Sequence, residues 1–293
     1  MADIINDIKN KYKKGNILTK YIFINIAVFL LLFVLTLIRK LAGLEVDIES
    51  YVAIPSGLQM LIYRPWTLIT YIFVHFEIFH ILFNMLFLYW FGQLFLMYFT
   101  PKNFGSLYIL GGLGGAVLYL LIYNLIPYFS AQEATMVGAS ASAMAIMFGV
   151  AFYVPDLHIN MLFVGRIKIL YVAITLFIMD LLFFGLGENL GGHISHIGGA
   201  AVGYAFAKMY ISGKDITRWM SNVIDRTVNL FKPSPKKKMT VKPGGKNETD
   251  YEYNQRRARQ TEEIDAILDK IKASGYSSLS KDEKKKLFDA SKN

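Results

Sequence analysis

Between Tyr21 and Tyr210 the chain alternates apolar runs of membrane-crossing length with short polar breaks. Six runs stand out: Tyr21–Ile38, Ile78–Phe99, Phe104–Tyr123, Met136–Val154, Ile167–Gly185 and Gly191–Tyr210. A helix needs about 20 apolar residues to cross a bilayer, so the pattern predicts an all-α polytopic membrane protein with six spans. Polar marks close several runs: Arg39-Lys40 after the first, Thr100-Pro101-Lys102 after the second, Pro155-Asp156 after the fourth. Residues 39–77 form a long connection, with Tyr63, Trp66, Leu68, Ile69 and Tyr71 expected at headgroup depth. Past Tyr210 the pattern changes. Lys232-Pro233-Ser234-Pro235-Lys236-Lys237-Lys238 and Lys242-Pro243-Gly244-Gly245 read as flexible basic linker. Ile264, Ile267, Leu268 and Ile271 then recur at helical spacing before Gly275, and Ser280 with Glu283 makes a capping box that opens a second helix carrying Leu287 and Phe288. The expected organisation is a cytoplasmic segment 1–20, a membrane domain 21–212, a linker 213–260 and a small cytoplasmic helical hairpin 261–293.

Composition sharpens this. The chain is 54% hydrophobic, carries a formal net charge of +9 and has no cysteine, which removes disulfide and thiolate-metal chemistry. From Gly213 onward there are 19 Lys/Arg against 12 Asp/Glu, so most of the excess charge lies in the tail. The first 20 residues hold five lysines, and the 155–168 connection holds Arg166 and Lys168; connections 124–135 and 186–190 hold neither lysine nor arginine. Positive residues stay on the cytoplasmic side, so both termini are expected there. The tail is read as solubilising, with anionic lipid as a further contact and no nucleic-acid partner.

Polar side chains inside apolar runs then point to chemistry. His80 and Asn84 sit at the start of the second run, Ser140 four residues past Met136, and His196 five past Gly191. All three runs start on the outer side, so these groups share one depth, roughly 6–8 Å below the outer interface for Ser140 and His196 at the helical rise. Gly199 and Gly203 share the His196 face, and Ala139, Ala141 and Ala143 surround Ser140; small residues permit close helix approach. A hydroxyl beside an imidazole is a nucleophile with its base. Asn84, a His80 ring N–H and the Ser140 backbone N–H are candidate oxyanion donors. Ser142 points to another face, His193 to a cavity mouth, and His75 to the interface. Asp180, an acid inside the fifth run, could orient a histidine as in a triad, but is read as pairing or gating rather than catalytic. Gly111 and Gly115 read as packing. No His-Glu-x-x-His occurs, and His75 and His80 are five apart, which argues against a zinc protease.

His80-Ile81-Leu82-Phe83-Asn84, Gly138-Ala139-Ser140 and His196-Ile197-Gly198-Gly199 with Gly203 together resemble the rhomboid family of intramembrane serine proteases, over about residues 20–210. Trp66, Thr70 and His75 fit the stretch leading into the second helix. The resemblance implies a six-transmembrane-helix rhomboid-like bundle, Ser140 as nucleophile, His196 as base, His80 and Asn84 in the oxyanion hole, and a Ser–His dyad that needs no cofactor or metal. Ala141, Met144, Ser195 and Thr67 depart from the family pattern. The implied activity is peptide-bond hydrolysis in or near transmembrane helices of membrane-protein substrates, in a bacterial inner or cell membrane. The alternative is an inactive relative that binds or escorts membrane proteins. A transporter is disfavoured because the polar groups cluster at one depth.

Overall fold

The computed structural model describes residues 12, 14–161, 165–184, 189–230 and 250–290. It divides into two compact units, Met1–Lys232 and Pro233–Asn293. In chain order the first unit holds α1 (Ile17–Leu41), α2 (Ile48–Val52), β1 (Ile54–Pro55), α3 (Leu58–Tyr63), α4 (Thr67–Thr70), a 3-10 turn (Tyr71–Phe73), α5 (Ile78–Leu96), α6 (Pro101–Leu125), α7 (Pro127–Ser130), β2 (Thr135–Met136), α8 (Ser140–Tyr153), β3 (His158–Met161), β4 (Gly165–Lys168), α9 (Ile169–Phe184), α10 (Leu190–Ile211) and α11 (Arg218–Leu230).

The long helices start where the chain supplies caps. The Asn16 side chain accepts from the Thr19 N–H ahead of α1. Thr100 and Asn103 close a reciprocal capping box on α6, with Pro101 in the first turn, where its missing N–H costs nothing. Among the described residues three helices are long and apolar enough to cross a membrane: α1, α5 and α6. The expected fourth and fifth runs give shorter helices, Ser140–Tyr153 and Ile169–Phe184. Glycine and histidine dilute the apolar character of α10.

The core is built around α8. Every residue from Ala141 through Ala151 is buried. At 14 residues this helix is about 21 Å long, less than a bilayer's hydrocarbon core. It can be short because its neighbours, not lipid, surround it. Glycines on α6 and α10 bring them up to it. A methyl at Gly115 would lie 2.7 Å from the Ala141 Cβ, and one at Gly111 would collide with the Ala145 Cβ. On the other side, a methyl at Gly199 would overlap the Ala141 carbonyl and one at Gly203 the Ala145 carbonyl. The Gly199 and Gly203 contacts are backbone-to-backbone approaches that no other residue type allows.

The connection before α5 is folded rather than loose. Arg64 Nη1 donates to Ser50 O (2.6 Å), Trp66 Nε1 to Tyr51 O (2.8 Å) and Thr70 Oγ1 to Val52 O (2.9 Å). Trp66 is exposed, as expected of an interfacial ring, but Tyr71 is not. Its ring is buried and its hydroxyl donates to Gly112 O at 2.5 Å, so it anchors this segment to α6. β1 pairs antiparallel with β2, Ile54 opposite Met136, and ties the segment to the residues entering α8.

Two boundaries differ from the sequence expectation. The stretch taken as linker from 213 is helical over Arg218–Leu230 and docks on α6. Asn103 Nδ2 donates to Asp215 and Thr217 (2.9 Å each), and the Ser106 and Ser221 hydroxyls bond at 2.7 Å. Polar contacts, which hydrophobic periodicity does not report, hold it there. The rest of the basic stretch, 231–249, lies outside the described residues. In the second unit α12 (Asp250–Ser274) starts well before residue 261 and is followed by α13 (Lys281–Ala290). Its polar first turns gave no apolar signal. Gly275 makes the left-handed turn between them (φ 76°), and Ser280 caps α13 with Glu283. Glu283 also accepts from Lys270 at 2.9 Å, and Lys286 pairs with Glu263 at 2.7 Å.

Candidate active site

Ser140 is the first residue of α8. The sequence expectation had the helix begin at Met136, but Met136 lies in β2 and Gly138 adopts φ 123°, which favours glycine. The depth reckoned from helical rise therefore does not apply, because the residues before Ser140 are extended. A helix start leaves its first backbone N–H groups unpaired by the helix itself and carries partial positive charge. Ser140 thus stands where negative charge is favoured. The entry strand is pinned at two points: the Gly138 N–H donates to Tyr71 O (2.9 Å) and the Ala139 N–H to His75 Nε2 (3.4 Å).

His75 is buried, not interfacial. Burial, aided by the neighbouring His80, pushes its pKa down to about 3. The neutral ring is the one that fits, since only an unprotonated Nε2 can accept from Ala139. Its ring meets that of His80 edge-on, with centroids 5.0 Å apart. His75 precedes α5, so helical spacing did not govern this contact. His80 in turn presses on the loop before Ser140: a methyl at Gly138 would lie 2.9 Å from the His80 ring and 3.8 Å from Ser140 Oγ. His80 and Ser140 therefore flank one point. Asn84 is buried and donates to the His80 carbonyl at 2.9 Å, one turn back in α5. Ser142 is buried against Gly112 of α6, away from this opening.

His196 lies in the second turn of α10, one turn before the glycine that touches Ala141. That brings its turn of helix beside the start of α8. No hydrogen bond joins Ser140 Oγ to His196 among the described residues; catalytic hydrogen bonds often tighten only when substrate is bound. The His196 Nδ1 is engaged elsewhere, 2.8 Å from both carboxylate oxygens of Asp180 on α9. His193 Nδ1 reaches Asp180 Oδ1 at 2.8 Å. Sequence reasoning weighed a histidine as partner for Asp180 but did not say which one. The signal available was one acid in the fifth run and two histidines three apart, hence on one helical face.

Ligand atoms of Asp180, His193 and His196 all lie within 4.8 Å of one another, so these are the described residues that could hold a metal ion. A cleft of about 160 Å³ lined by Ile17, Tyr21, Pro101, Lys102, Ser106 and Asp225 lies near the start of α6 and includes none of the groups around Ser140.

Residues 63–213 match the Rhomboid domain family. The chain belongs to the rhomboid family. The match spans the segment before α5, the Ser140 loop and His196, and ends just after α10. Members of this family are usually serine proteases. With its apolar helices, the rhomboid domain makes this a membrane protein. RHOMBOID-like protein 12, mitochondrial, from Arabidopsis thaliana is 32% identical over 149 residues, covering 47% of this chain and 44% of the relative. The chain thus matches less than half of that relative's length. Residues 247–293 match a second family, described only as of unknown function (DUF6576), which coincides with the C-terminal helical unit.

Proposed function

We propose that this rhomboid protein is an intramembrane serine endopeptidase with Ser140 as nucleophile and His196 as base. The observation that carries the reading is the join of α8 to α10: the residue after Ser140 packs backbone to backbone against Gly199, one turn beyond His196. In the proposed reaction Ser140 Oγ gives its proton to His196 Nε2 and attacks the scissile carbonyl carbon. The resulting oxyanion is stabilised by N–H groups at the start of α8 and by the His80 ring, with Asn84 supporting His80 through its carbonyl. His196 Nε2 then protonates the leaving amide nitrogen as the C–N bond breaks. Water enters, loses a proton to His196 and releases the acyl group from Ser140.

On this reading α1, α5, α6, α8, α9 and α10 are the six spans, the site opens to the outer side, and both termini are cytoplasmic, following the lysine and arginine pattern. Substrates are transmembrane proteins of the same bilayer. A helical peptide bond hides its carbonyl in the helix ladder, so the cut segment should unwind easily, with small or helix-breaking residues near it.

Labelling by an active-site-directed fluorophosphonate tests this. Wild type in detergent should label and Ser140→Ala should not, and His196→Ala should remain folded while losing cleavage of a transmembrane substrate. Absence of labelling in wild type would leave a binding or escorting role. Normal cleavage by His196→Ala would remove the assignment of the base.

A further inference from the structure

We propose that Asp180 is the positioning residue for the catalytic base, converting the Ser140–His196 pair into a Ser–His–Asp relay with His193 as its brace. This deepens the serine-protease reading and rests on it.

The argument starts from the carboxylate. An ionised Asp only accepts hydrogen bonds. A ring nitrogen 2.8 Å from its oxygens therefore carries the hydrogen, and in the neutral ring the other nitrogen is then an unprotonated acceptor. His196 Nδ1 lies 2.8 Å from both Oδ1 and Oδ2 of Asp180. Its tautomer is thereby set, and Nε2 is the nitrogen left to take a proton from Ser140. The same contact stabilises the imidazolium that forms when Nε2 accepts that proton. Asp180 stays ionised and His196 keeps its Nδ1–H throughout. The proton moves from Ser140 Oγ to Nε2 and on to the leaving nitrogen, and no further reactant is needed.

His193 makes the arrangement rigid. It lies one turn before His196 on the same face of α10, and its Nδ1 contacts Oδ1 of the same carboxylate at 2.8 Å. Two donors on one acceptor group fix the rotation of the carboxylate, which a single bond would leave freer. The side chains are shielded, with 12% of each histidine and 13% of Asp180 exposed. In such surroundings hydrogen bonds to a charge are stronger than in water. Simple helix fastening does not explain why both carboxylate oxygens point at the one nitrogen that orients the base.

The test compares wild type, Asp180→Asn, Asp180→Glu and Ser140→Ala on a transmembrane substrate in detergent. Asp180→Asn should lower kcat on the order of 100-fold or more with KM nearly unchanged, and Asp180→Glu should recover part of the loss. Histidine-selective 15N NMR gives a readout independent of turnover. In Ser140→Ala, His196 should be protonated at Nδ1, and adding Asp180→Asn should release the ring to a mixture of tautomers. An Asp180→Asn enzyme whose kcat stays within about threefold of wild type overturns the inference, as does a His196 ring protonated at Nε2 in Ser140→Ala. Loss of wild-type activity on chelation also overturns it, since the three side chains would then be holding a cation. A wild type that neither labels nor cleaves overturns the serine-protease reading itself, and so is distinct from these results.

Discussion

The two sides of α10 hold their neighbours by different means. Toward α8 the contact is steric: Gly199 and Gly203 leave no room for a methyl, and backbone lies on backbone. Toward α9 it is polar, three hydrogen bonds from two histidines to Asp180. Burial also changes along α9. Ile169, Val172 and Ala173 at its start are buried, but Ile178, Met179, Leu181, Leu182 and Phe183, around Asp180, are exposed. Ser140 thus stands beside a tightly packed seam, and His196 is held across a seam of hydrogen bonds. Rigidity and orientation come from separate contacts of one helix.

The most severe way to break that contrast is to fill the packed seam. Gly199→Leu should destabilise the protein by about 3 kcal/mol or more, since its side chain meets the Ala141 backbone rather than a movable side chain. Thermal unfolding in detergent measures this, and a fold as stable as wild type would show that the seam opens. Tyr71→Phe removes a buried hydroxyl and its bond to the Gly112 carbonyl. It should cost about 1.5 kcal/mol and lower activity by loosening the strand that leads to Ser140.

His75 supplies a pH test of the same end of the seam. Its folded-state pKa, about 3, lies below the ordinary value of 6.5 because of burial. The unfolded chain therefore binds a proton that the folded chain does not. Its stabilising effect is complete above about pH 6.5 and is lost as pH falls toward 3. Between pH 8 and 5.5 the loss should be about 1 kcal/mol, seen as a falling Tm that His75→Gln flattens. The smallest effect belongs to the looser seam. Leu182→Ala on the exposed face of α9 should change stability by no more than about 0.5 kcal/mol in detergent. A larger loss would mean that Leu182 itself packs against a neighbouring segment.

Much of this was readable in order of residues. Ser140, His196 and the glycines after it lie in patterns that follow from helical spacing and from the cost of polar groups in apolar runs. Tyr71 and His75 were misjudged because an aromatic or imidazole in a long outer segment looks the same whether it meets headgroups or another helix. Asp180 was noticed because acids are rare in apolar runs, but its partner could not be read. Spacing relates residues within one helix, and this contact joins two.

Apolar periodicity and the placement of glycine, proline and charge determined by themselves that this chain makes apolar helices, which faces of them are smooth, and which polar groups must find company. Tertiary structure alone decided that α8 begins at Ser140, that His75 and Tyr71 turn inward, and that Asp180 meets His196. Those outcomes depend on hydrogen bonds and close approaches between segments far apart in the chain. Local propensity carries no term for them, so they exist only once the helices have packed.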